Sequence, residues 1–247
     1  MTEAFEQAPQ RVLRLAAVLY LAIIVLGLFG EAAVRGTLLV PGDAHATVEN
    51  LRQSPGLWRL GLAGDLLMHL LDLPVMLVLY ALLRPVNRGL ALLATLANLV
   101  QTAVLATNKL TLVVPLLLIA PDGPGSGLPA AQLDSLVRLS IRAHGHGFAI
   151  GLVFFGVACL LRGQLIGDSG FLPKWLGLLL QLAGLAYLVN SFALLLAPSL
   201  AEALFPAVLL PAFVGELALC LWLLLRGVDL PRWRQRVQAS AQAAASR

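Results

Sequence analysis

Apolar residues along this chain gather into six long runs separated by short polar connections. A helix needs about 20 mostly apolar residues to cross a bilayer, so each run predicts a transmembrane helix. The first covers about 12–35, the second 57–83 and the third 89–119, with a bend near Pro115. Residues 130–142 read as an amphipathic, interfacial turn of helix that leads into the fourth span, about 143–162. The fifth covers about 173–197, with Pro173 in its first turn, and the sixth about 205–226, opened by Pro206 and kinked at Pro211. Between the first two spans, Gly42-Asp43 is a turn followed by a good N-cap, which predicts a short surface helix at 44–53. Residues 84–88 form a tight basic turn, 121–130 can only be loop, and Gly163, Gly167 and Gly170 mark a further short loop. Residues 1–11 form a polar leader, and 228–247 a basic, then Ala/Gln/Ser-rich tail expected to be disordered, which leaves 12–227 as one transmembrane domain.

The expected fold is therefore all-α, a bundle of six transmembrane helices. Composition supports it. Of 247 residues, 59% are hydrophobic and 12% charged, where soluble chains carry about 25% charge. The net charge of +4 does not indicate nucleic acid, because the basic residues flank apolar runs rather than forming a patch. With the N-terminus inside, 11 Lys and Arg fall on cytoplasmic segments and 5 on outer ones, with Lys109 left inside a span. That bias places both termini in the cytoplasm. Arg11 and Arg14 resemble the start of a signal peptide, but the apolar run is long and Glu31 spoils a cleavage site near Ala33, so a retained helix is expected. Cys159 and Cys220 lie inside apolar runs, where thiols pack.

Ionisable side chains within spans need a reason, since each costs at least about 2.5–3.5 kcal/mol on insertion scales. Asp65, His69 and Asp72 recur at i, i+4, i+7. On a helix they share a stripe of about 60° that faces the protein interior. The third span adds Asn98, Gln101, Asn108 and Lys109, and the first puts Tyr20, Gly27 and Glu31 on one face with Arg35 nearby. The fourth opens with His144 and His146, the fifth offers Gln181, Asn190 and Ser191, and the sixth holds Glu216. Most of this set lies between the midplane and the outer face, as a solvated cavity open to the outside would require. The plain alternative is ion pairs, Asp72 with Lys109 or Asp65 with Arg35, that lock helices together. Glu31 and Arg35 at i, i+4 read as a local pair. His144 and His146 stand about 200° apart on a helix and do not face one site together. Glycines in the fourth and fifth spans mark faces for close helix packing.

The strings VPGDAHAT, RLGLAGDLLMHLLDLPVMLVLYALLRPVNRGLALLA, HGFAIGLVFFG, SGFLPKWLGLLLQLAGLAYLVNSF and PAFVGELALCLWLLLRG resemble a bacterial membrane family known as domain of unknown function 4386. The resemblance covers about residues 12–227. It implies a six-helix integral membrane protein, with no established activity or catalytic residues to carry over. Three readings of the polar set stay open. A binding or transport site for a small molecule or ion would use Asp65, Asp72, Lys109, Glu216, Asn190 and Glu31, with dimerisation supplying a second half. An intramembrane zinc hydrolase would draw its ligands from Asp65, His69, Asp72 and His144, with Glu216 as a further carboxylate. A structural protein would use the same residues as glue. Haem does not fit, because it wants axial histidines at one depth. No cofactor is expected, and no phosphate loop or nucleophile elbow occurs.

Overall fold

The computed structural model describes residues 8–245, and among these the regular structure is entirely helical. Six helices are long and apolar enough to cross a membrane. Helix α1 runs Pro9–Leu38, with a π-helical stretch at Phe29–Arg35. Helix α2 is Ala44–Gln53, α3 is Pro55–Leu83, α4 is Arg88–Ile119 and α5 is Ala130–Ser169. Helix α6 is Lys174–Leu196, α7 is Pro198–Leu204, α8 is Leu210–Leu225 and α9 is Leu230–Ala245.

The side chains are sorted as lipid demands rather than water. On α3, Asp65 and His69 are buried, while Leu66, Leu70, Leu73 and Leu77 are exposed, Leu70 at 63%. On α4, Lys109 is buried beside Leu110, which is 64% exposed. Apolar stripes of this length would be an aggregation surface in water, and they are the natural outer face of a helix in hydrocarbon.

The chain forms two compact units. One comprises residues 8–21, 71–101 and 149–245; the other comprises 22–70 and 102–148. The second unit is built on Val34, Leu38, Val48, Leu51, Trp58, Leu112, Leu133 and Val137. Asp43 starts α2 by accepting the Ala46 N–H at 2.9 Å, the expected N-cap. Pro115 lacks an N–H for the carbonyl of Thr111, four residues back. Ser140 Oγ donates to that carbonyl instead, and Trp58 Nε1 donates to the next one, Leu112 O, at 2.8 Å.

In the first unit, α5 and α6 touch backbone to backbone through glycines. A Cβ on Gly184 would stand 2.6 Å from Gly156 O, and one on Gly177 would stand 2.5 Å from Gly163 O. Gly215 of α8 approaches Leu179 O of α6 in the same way. Such contacts are how helices associate when lipid removes the hydrophobic driving force. Gly227, at φ 69°, ends α8 with its N–H on Trp222 O, and Gln10 Nε2 holds the neighbouring Val228 O at 2.6 Å.

Four local expectations change. Gly163 and Gly167 lie inside α5, not in a loop, and Gly163 is a packing residue there, against Gly177 and Gln181 of α6. The amphipathic 130–142 segment and the fourth span are one helix of 40 residues. Pro211 occupies the first turn of α8, where a missing N–H costs nothing, rather than kinking its interior. The segment expected to be disordered forms α9. Asp229 caps it through the Arg232 N–H, Trp233 is buried with its indole on Leu82 O, and Arg232 and Arg236 donate to the Gly170 and Asp168 carbonyls at the end of α5. The N-terminal expectation falls largely on residues outside those described.

Gly184→Ala is expected to cost about 1–3 kcal/mol through overpacking. Gly167→Ala, whose Cβ meets nothing within 4 Å, is expected to leave the unfolding temperature in detergent unchanged or slightly raised. Equal unfolding temperatures for the two variants would contradict the glycine contact.

Candidate functional site

In the second unit, α1, α3 and α4 converge on one carboxylate. Asp65 is 1% exposed. Its Oδ2 accepts from Arg35 Nη1 at 2.8 Å and from Lys109 Nζ at 2.9 Å. Arg35 in turn donates through Nε to Glu31 at 2.7 Å. Two cations and two carboxylates therefore balance, with Glu31 at the solvated or lipid-facing edge and Asp65 and Lys109 inside. Such balance is what allows charge to sit in a low-dielectric interior.

The local backbone is arranged to admit this group. Gly30 lies in the π-helical stretch, and a Cβ there would stand 2.6 Å from Asp65 Oδ1 and 3.1 Å from Arg35 Nη2. The Gly36 N–H returns to Glu31 O, a five-residue step that carries Glu31 and Arg35 on a widened turn. Single π turns of this kind occur often at functional sites. Among the described residues Asp65 Oδ1 has no hydrogen-bond partner, and neither does the buried His69 Nε2 one turn further on.

His144 belongs to the same unit. Asn108 Nδ2 lies 3.0 Å from its Nδ1 and donates to its backbone carbonyl at 2.9 Å. Gly147, one turn along α5, leaves the room that the Asn108 amide fills. His146 points outward, as the 200° separation requires. Among the described residues, no group of three or more His, Cys, Asp or Glu side chains is placed to hold a metal ion. Of the residues expected as ligands, Asp65 already shares its Oδ2 between two cations.

The first unit holds a second polar cluster. Glu216 of α8 accepts from Tyr20 of α1 at 2.9 Å and from Tyr187 of α6. Asp72 accepts from Asn98 Nδ2 at 2.8 Å, and Asn98 also reaches Gln101 at 2.9 Å. Arg162 and Cys159 of α5 stand within electrostatic range of Glu216. Among the described residues, Asn98 Oδ1, Arg162 Nη2 and Ser191 Oγ are buried without a hydrogen-bond partner. Asn190 sits half-buried on α6, one turn from Tyr187.

Of the expected pairs, Asp65 with Arg35 and Glu31 with Arg35 form. Lys109 is placed on Asp65 rather than on Asp72. Tyr187 escaped the sequence reading. Its signal was there in the spacing of Tyr187, Asn190 and Ser191, i, i+3 and i+4 on an otherwise apolar helix.

A family model described as a domain of unknown function, DUF4386, matches residues 15–227. A protein of Archaeoglobus fulgidus, described as uncharacterized, is 25% identical over 170 residues, which cover 68% of this chain and 85% of that one. No solved structure matches.

Proposed function

The chain belongs to the DUF4386 family, and we propose that this multi-pass membrane protein binds a small polar molecule or ion at the Asp65 site and carries it across the bilayer. The observation that supports this most is the half-used carboxylate. Oδ2 of Asp65 is shared by two cations while Oδ1 has no partner, next to an unpartnered His69 nitrogen. Helix glue would satisfy both oxygens, since an orphaned buried acceptor costs about 1–3 kcal/mol. An incoming cation or polar donor would exchange with Lys109 or Arg35 for the carboxylate, which makes loading and release reversible. Glu31, which shares Arg35 with Asp65, is a further polar group of the same site.

The same reading places both termini on the cytoplasmic side of the inner membrane, α2 on the outer side, and the Asp65 site in the outer half. Its support is the excess of Lys and Arg on the segments assigned inside. Reporter fusions test it directly. A fluorescent protein on the C-terminus is expected to light up and alkaline phosphatase there to stay inactive; the opposite pattern would invert the topology.

Transport is tested in proteoliposomes loaded with a pH-sensitive dye, under imposed gradients of sodium, potassium or ammonium. The wild type is expected to show gradient-driven flux, and Asp65→Asn to lower it at least about tenfold, which corresponds to about 1.4 kcal/mol. Size-exclusion and unfolding profiles establish that the variant is folded. Absence of flux with every gradient, or equal flux in folded wild type and variant, would leave the glue reading in its place.

A further inference from the structure

We infer that the cavity between α2, the end of α1 and the start of α5 is a binding site for the phosphate of an anionic phospholipid. The cavity has a volume of about 290 Å³ and lies within the second unit. Arg138 and Arg142 stand one turn apart in its wall. Among the described residues neither makes an ion pair or hydrogen bond. Two like charges at i, i+4 destabilise a helix unless an anion meets them. Two guanidiniums side by side match the planar, bidentate contacts that phosphate oxygens accept.

The rest of the wall agrees with this charge. Ala44 opens α2 there, with the positive end of that helix already met by its Asp43 cap. Asp43, the one acidic residue in the lining, is committed to that helix end through the Ala46 N–H. Val40, Pro41 and Ile141 supply an apolar side. A free inorganic anion has no use for such a side, whereas the glycerol and upper acyl carbons of a lipid do. The position is also that of a headgroup: α1, a membrane-crossing helix, ends at Leu38, the cavity begins at Leu39, and Leu139 beside the arginines is 64% exposed. Basic pockets at helix ends are a recognised setting for anionic headgroups.

The full-length protein in dodecyl maltoside, titrated with phosphatidylglycerol and read by native mass spectrometry, tests the assignment. The wild type is expected to retain one lipid that survives millimolar inorganic phosphate. Arg138→Gln with Arg142→Gln is expected to weaken retention at least about tenfold, through the loss of two charge-assisted contacts to one phosphate. The double lysine variant is expected to recover most of it. Arg52→Gln, an exposed change on α2 outside the cavity lining, is expected to leave retention unchanged. Both arginines are exposed and unpartnered, so folding is not at stake in these variants. Equal retention in the double glutamine variant would overturn the proposal. So would displacement by inorganic phosphate at concentrations comparable to the lipid, which would identify a free-anion site.

Discussion

The second unit depends on a carboxylate that has been taken out of solvent. Once Asp65 is buried among apolar helices it must be met by positive charge, and three helices are committed to doing so. Arg35 comes from the π-helical end of α1, Lys109 from the middle of α4, and Gly30 gives up its side chain so that the group fits. The apolar cluster around Trp58 and Leu112 holds α3 and α4 together on the same side. Removing one member leaves a naked charge in a medium that does not solvate it, which is worse than removing the whole set. Ion pairs of this kind therefore enforce an arrangement even where they add little net stability.

The helices themselves were legible from the order of apolar and polar residues. Leucine-rich runs longer than a bilayer is thick admit one reading, and Asp43 announced α2 through ordinary capping chemistry. Errors arose where rules learned from soluble proteins were carried into lipid. Glycine reads as a turn signal in water. In α5 and α6 it is instead the contact residue, because helices without a hydrophobic drive between them gain by approaching closely. The terminal helix α9 was missed for a different reason. Leu230, Trp233 and Val237 do recur at i, i+3 and i+7, but the Ala/Gln/Ser-rich remainder masks that period, and what orders the helix is tertiary: an Asp229 cap, a buried Trp233 and two arginines on the carbonyls that end α5.

The candidate site was legible in its components and not in its connections. The i, i+4, i+7 spacing puts Asp65, His69 and Asp72 on one face. It could not say that Lys109 and Arg35 would share a single oxygen, because partner choice depends on the rotation and rise of three separate helices. The Glu216 cluster shows the same limit. Tyr20 and Glu216 are nearly 200 residues apart in sequence, and nothing local to either links them.

A double-mutant cycle on Asp65 and Lys109 tests the central claim most directly. Unfolding free energies would be measured in detergent for Asp65→Asn, Lys109→Met and the pair together. Each single change is expected to cost about 3–5 kcal/mol, and the double change to cost less than the sum by about 2 kcal/mol or more. Strictly additive losses would contradict the account, since they would mean that the two side chains do not depend on one another.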